Sequence, residues 1–197
     1  MLRSRPARCK ARAESLHLGR RMNQLLAISA VGPDRTGIVH DLTQVIADCG
    51  GNISESRMAS LGNEFAMLLL VGGNWHSLAK LEAELQRFAG EAGLTLHLKR
   101  TEGRSARTDR LPYSIDAVCL DQTGIVSALS GFCASRDIDI AEVATRSYPA
   151  AHTGALMFSV QMIVNVPSRL HLAHLREEFM EFCDSRNLDA ILEPVKS

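Results

Sequence analysis

Aromatic side chains are scarce: one Trp, two Tyr and six Phe in 197 residues. They do not interleave with basic residues, which argues against a stacking platform for single-stranded nucleic acid. The five cysteines, at positions 9, 49, 119, 133 and 183, are odd in number and contain no C-x-x-C. Cys49, Cys133 and Cys183 fall on apolar helical stripes, where a free thiol behaves as a small hydrophobe. That pattern points to a reducing compartment, and the expected location is the cytoplasm. No unbroken apolar run is long enough to span a membrane. Also missing are G-x-G-x-x-G, the P-loop, H-E-x-x-H and G-x-S-x-G. His171, His174 and Glu177 stand at i, i+3 and i+6, which drift around a helix and do not converge on a metal. Glu177, Glu178 and Glu181 suit a solvated face. The expectation is therefore a protein that is not an enzyme and has no cofactor and no metal.

Net charge is zero, but it is unevenly spread. Residues 1–21 hold seven Lys or Arg and one acid, Glu14, for a net +6, so residues 22–197 must sum to −6. An acidic body is a poor match for nucleic acid, whose affinity depends on neutralising phosphates. The basic segment has no apolar core for a secretory signal. It reads as a disordered extension ahead of the fold, a start assigned too early being one origin. The alternative is an organelle transit peptide.

What the chain does have, it has twice. Asp34-Arg35-Thr36-Gly37-Ile38-Val39 and Asp121-Gln122-Thr123-Gly124-Ile125-Val126 each close an apolar run and open a helical pattern. Ile38, Val39, Leu42, Val45, Ile46 and Cys49 follow the first copy; Ile125, Val126, Leu129, Phe132 and Cys133 follow the second. Both series keep the i, i+1, i+4, i+7, i+8 spacing of a helix with one buried stripe. Asp34 or Thr36, and Asp121 or Thr123, are expected to cap these helices, since their oxygens suit the orphan backbone N–H groups. Gly37 and Gly124 admit a close approach, and a helix N-terminus attracts anions. Cap and ligand loop are both open readings. Gly37→Val is expected to block a ligand while sparing the fold.

From Met22 the elements run strand, helix, strand, strand, helix, strand. Leu25–Val31 is the first strand, Ile53–Leu61 and Glu64–Val71 form a hairpin, and Leu78, Leu81, Leu85 and Phe88 mark the second helix. Residues 101–111 are polar and aperiodic, and read as a linker between domains at 22–100 and 112–197. The order then repeats, with the last helix opening at Pro167-Ser168. Asp34, Gly37, Ile53 and Glu55 lie 87 positions before Asp121, Gly124, Ile140 and Glu142. Leu78, Leu81, Leu85 and Phe88 lie 94 before Leu172, Leu175, Phe179 and Phe182. The two offsets fit loop insertions between shared elements. The fold class is α+β: two ferredoxin-like βαββαβ units in tandem, each a four-stranded antiparallel sheet with two helices on one face.

Gly32 to Val39, followed by Cys49-Gly50-Gly51-Asn52-Ile53, resembles the ACT-domain family of small ligand-binding modules. Asn52 to Phe65, then Gly73-Asn74-Trp75 and Lys99-Arg100-Thr101, is similar to the glycine cleavage system transcriptional repressor family, a stand-alone pair of ACT domains. The second half keeps Asp121, Gly124, Ile125 and the run Ile138 to Glu142, with Asp139 where Asn52 leads one to expect Asn. The family usually has Pro at the position of Thr36. This resemblance implies an amino-acid ligand, glycine or a similar one, and an output through a DNA-binding regulator protein, without direct contact to nucleic acid. It implies ligand-binding positions Asp34, Arg35, Thr36, Gly37, Ile38, Asn52 and Ile53, and Asp121, Gln122, Thr123, Gly124, Ile125, Asp139 and Ile140. Two other classes stay open: a ligand-free dimerisation module, and the regulatory part of a one-carbon or amino-acid metabolic enzyme. A homo-oligomer is expected, because the strand Phe65–Leu70 is apolar on both faces.

Overall fold

The computed structural model describes residues 24–103 and 108–195. The basic segment 1–21, and the readings that fall on it, lie outside the described residues. The chain divides into two compact units at the stretch between its fourth and fifth strands. Each repeats the expected order.

In the first unit, β1 (Gln24–Pro33) leads to α1 (Ile38–Asp48), β2 (Asn52–Leu61), β3 (Glu64–Gly73), α2 (Trp75–Ala92) and β4 (Thr95–Thr101). The sheet order is β2-β3-β1-β4, and every pair is antiparallel. Alternation along the strands sends Leu26, Ile28 and Ala30, and Phe65, Met67, Leu69 and Val71, to the same face. There they meet Ile38, Leu42 and Ile46 from α1 and Leu78, Leu81 and Leu85 from α2 in one buried cluster. Burying each such side chain contributes about 1.5–3 kcal/mol. Asn74 caps α2, its side chain accepting from the Ser77 N–H at 2.8 Å. Arg100 on β4 donates twice to Glu82 on α2, at 2.6 and 3.0 Å, and so clamps the helix to the sheet edge.

The second unit runs β5 (Arg110–Leu120), α3 (Ile125–Ala134), β6 (Asp139–Pro149), β7 (Leu156–Pro167), α4 (Leu172–Asp184) and β8 (Asp189–Pro194), in sheet order β6-β7-β5-β8. Its core sets Ile115, Val160, Met162 and Val164 against Leu129, Leu175 and Phe179. Phe132 meets Phe179 edge to face, with ring centroids 5.3 Å apart. β2 and β6 carry a bulge at the same place, between Ile53 and Glu55 and between Ile140 and Glu142.

Two sequence expectations are corrected. β5 starts at Arg110, inside the stretch read as linker, because Arg110 and Leu111 pair with Pro167 and Val166. α4 opens at Leu172, since Pro167 ends β7 and only a turn follows it. Trp75, at the start of α2, is 68% exposed. Among the described residues, no helix is long and apolar enough to cross a membrane.

Candidate functional site

The two repeated loops share one backbone. Gly37 has φ 87° and ψ −7°, Gly124 φ 90° and ψ 2°, and each occupies the N-cap position of its helix. That left-handed geometry is costly for any residue with a Cβ. No side chain caps either helix. The expected caps are therefore corrected: none of Asp34, Thr36, Asp121 and Thr123 makes a capping bond to its helix. The Asp34 carboxylate accepts from the Ser60 hydroxyl at 2.8 Å, while its N–H donates to the Asn63 carbonyl at 3.0 Å. Asp121 accepts from the Ser147 hydroxyl at 3.0 Å, and its N–H donates to the Leu156 carbonyl at 2.9 Å. Each Asp thus ties the end of its first strand to the neighbouring hairpin and fixes the path of the loop. Sequence reading missed Ser60 and Ser147, although both lie 26 residues beyond their Asp.

Apart from the Ile38 N–H, which donates to the Arg35 carbonyl at 3.3 Å, the uncapped helix starts keep first-turn N–H groups available to an anion. Thr36 and Thr123 are exposed beside them, whereas Ile38 and Ile125 are buried and anchor the helix from below. Arg35 donates to Asp41 at 2.7 Å; its counterpart Gln122 reaches only the Arg186 carbonyl, at 3.5 Å.

Asn52 and Asp139 are not brought to these loops. Asn52 pairs with Gly72, which pairs with Leu25, while Asp34 follows Pro33, the partner of Glu64. From Leu25 to Pro33 is eight residue steps, about 27 Å along an extended strand. Within one unit, loop and β2 start therefore sit at opposite ends of the sheet, so Asn52 does not join Asp34 and Gly37 as one site of that unit. Ile53 follows Asn52 and packs against the core; Ile140 is 38% exposed at the same far end of its own sheet. Asp139 also has an occupation of its own. The Arg110 guanidinium, only 7% exposed, lies 3.4 Å from its carboxylate and donates to Asp137 at 3.2 Å. Arg169 donates to Asp137 at 2.7 Å, and these bonds hold the Asp137 carboxyl below its ordinary range, Arg169 contributing most.

At the second loop a cavity of about 320 Å³ opens, lined by Thr123, Gly124, Ala128, Ser185, Arg186 and Asn187. Arg186 is exposed, with its guanidinium 5.1 Å from the centre of the Phe182 ring. At the 94-residue offset its first-unit counterpart is Ala92, and Ser185 corresponds to Glu91. Only the second loop thus has a cation from the α4–β8 turn beside its helix start. Sequence reading missed Arg186; the signal was a basic residue where the repeat has Ala. A larger groove of about 680 Å³ runs between the end of α3 and the start of α4. Its charged walls answer one another: Arg136 donates to Glu178 at 2.7 Å, Arg169 to Asp137, and His174 stands 3.1 Å from Glu178. Among the described residues, no group of three or more His, Cys, Asp or Glu is placed to hold a metal ion.

The model of a family described as the ACT domain matches residues 24–99. The glycine cleavage system transcriptional repressor of Escherichia coli is 28% identical over 170 residues, covering 86% of this chain and 90% of the repressor. A crystal structure provisionally designated a glycine cleavage system transcriptional repressor superposes with a TM-score of 0.69 at 27% identity, covering 89% of this chain and 99% of that one. An unknown protein from Galdieria sulphuraria gives 0.72 at 28% identity, covering 88% of this chain and 99% of its own.

Proposed function

We propose that this chain, whose residues 24–99 match the ACT-domain family, is an amino-acid-sensing regulator that acts through a protein partner. The observation that carries the reading is the repeated loop: one backbone, one Asp–Ser tie and one uncapped helix start, built twice. A carboxylate suits such a helix start, because the aligned peptide dipoles and free N–H groups favour an anion. The second loop is the better site of the two. Arg186 stands at its cavity to pair with the carboxylate, and a volume of about 320 Å³ accommodates a small amino acid. In the first unit Arg35 is already paired with Asp41. The ammonium group needs an acceptor that the same unit's Asn52 or Asp139 cannot supply, given their place at the far end of the sheet. The acceptor must therefore come from outside the second unit, where Arg110 already engages Asp139.

The output is regulation, as in the named repressor relative, carried by a DNA-binding protein that this chain controls. Support comes from the charge of residues 22–197, which opposes phosphate binding, and from the described residues, whose four helices all belong to the two βαββαβ units. The cysteines at 49, 119, 133 and 183 are free and buried, in keeping with a cytoplasmic setting.

Isothermal calorimetry with glycine, serine, alanine and the remaining free amino acids tests the site. One of them is expected to bind the intact protein, and Arg186→Ala to weaken it by about tenfold or more, the scale of a charge-assisted contact. Arg35→Ala is expected to leave that affinity within about threefold. If a folded Arg186→Ala protein binds as tightly as the parent, the second loop is not the site.

A further inference from the structure

Both repeated loops are pinned from the same place. Ser60 stands on β2 and Ser147 on β6, edge strands two removed from the strand that leads into the loop. Both serines are exposed, so neither contributes to a core. Each hydroxyl nevertheless donates to the carboxylate of the Asp that opens the loop, Ser60 to Asp34 and Ser147 to Asp121. The N–H of the same Asp is held as well, by the Asn63 carbonyl in the first unit and the Leu156 carbonyl in the second. The hairpins behind these bonds differ in length. Leu61 and Glu64 pair across a two-residue turn, whereas Pro149 and Leu156 enclose six residues. The tie is the same although the hairpin that carries it is not.

Only two residues separate each Asp from its glycine, so the place where the Asp is fixed decides where the helix starts. In the second unit the far side of the loop is set by Ile125, buried in the core, and the near side by Asp121. An anion there must meet the first-turn N–H groups and the Arg186 guanidinium together, and hydrogen bonds weaken steeply once distance and angle are lost. The first loop has a further brace, because Arg35 within it donates to Asp41 in the first turn of α1 at 2.7 Å. In its place the second loop has Gln122, whose amide reaches the Arg186 carbonyl only at 3.5 Å. The second loop therefore leans on its serine more than the first does.

We infer that Ser147 is a positioning residue for the loop of the second unit: its hydroxyl, through Asp121, holds the start of α3 where the helix N–H groups and Arg186 face one cavity. The consequence for binding rests on the amino-acid reading of that cavity; the positioning itself needs no ligand. Ser147 is not among the residues that line the cavity, so its effect on affinity is indirect. The net contribution of a single exposed hydrogen bond corresponds to about three- to tenfold in an equilibrium. Ser60 makes the equivalent bond in the first unit, where the Arg35–Asp41 pair shares the task.

Two measurements on the full chain test this. The first is amide hydrogen exchange, read by NMR without added ligand. Ser147→Ala is expected to speed exchange of the Asp121 N–H, which the Leu156 carbonyl protects, by about threefold or more. Ser147→Thr restores the hydroxyl and should return that rate to within about twofold of the parent. The second is calorimetry with glycine as the probe. Ser147→Ala should weaken binding by about three- to tenfold, Ser147→Thr should restore it, and Ser60→Ala should leave it within about twofold. Both serines are exposed and so tolerant of these changes, and the unfolding midpoint establishes that each variant is folded. Exchange at Asp121 indifferent to Ser147→Ala, an acceleration that Ser147→Thr fails to reverse, or faster exchange with glycine affinity intact would each overturn the inference. Should glycine not bind the parent, the ligand reading is what fails, and the exchange measurement alone decides whether Ser147 positions the loop.

Discussion

At the scale of single residues, the two glycines that open α1 and α3 show how little a sequence position says without its dihedral angles. Gly37 and Gly124 sit in left-handed backbone, where a Cβ costs about 1–2 kcal/mol whatever space surrounds it. A Cβ built on Gly124 meets nothing within 4 Å, and one on Gly37 meets only the Arg35 guanidinium at 3.8 Å. Gly124→Ala is therefore expected to lower stability by about 1–2 kcal/mol through backbone strain alone, measured by urea unfolding. Loss of much less than that would show the loop can relax to another conformation. Gly37→Val, expected from sequence to spare the fold, is ruled out as a clean probe for the same reason, with β-branching added. Asp34 and Asp121 were legible as special residues, but their role was not. Their serine partners stand two strands away, on β2 and β6, and only the pairing of β2 with β3 and of β6 with β7 brings them close.

Individual elements are held by a few side chains that bridge them, and Arg100 with Glu82 is the clearest. Glu82 on α2 accepts two bonds from Arg100 on β4, and Arg100 also donates to Gln24 on β1 at 3.0 Å. The Arg100 hydrogen bonds hold the Glu82 carboxyl below its ordinary value of 4.5. A carboxyl whose folded pKa is depressed contributes stability above its unfolded pKa and loses it as pH falls through the folded one. Stability from this clamp is thus complete above the ordinary glutamate range and disappears with acidification below 4.5. Glu82→Gln is expected to flatten that part of the stability–pH curve and to leave the slope above pH 6 alone, as chemical unfolding across the acid range will show. A variant as acid-sensitive as the parent would place the dependence on other carboxyls, such as Asp137 or Glu178, which Arg169 and Arg136 depress in the second unit. The helices and strands themselves were largely readable, because their apolar spacing follows the 3.6 and 2 periods. Strand ends were less so. Arg110 and Leu111 look like linker by composition and become strand because Pro167 and Val166 lie alongside.

For the whole molecule, charge and fold lead to one functional expectation. A chain beginning at Met22, with a body of net −6 by subtraction of the N-terminal +6, is expected not to retard a defined DNA duplex at physiological salt, where even non-specific binding relies on phosphate neutralisation. Gel retardation by that chain would overturn the view that its output passes through a partner. By itself the sequence determined the tandem, since repeated apolar periods and a repeated Asp-x-Thr-Gly are local patterns with local physical causes. It determined both helix stripes, the free buried cysteines and the acid balance on the same grounds. Which atoms share a site was decided only by tertiary structure. Asn52 and Asp34 are close in sequence yet stand at opposite ends of a strand about 27 Å long, while Arg186 and Gly124, far apart in sequence, line one cavity. That Glu55 and Lys99 fall in one cross-strand row, at opposite edges of the sheet, arises the same way. A row across a sheet is set by register between strands, and register is a property of the fold.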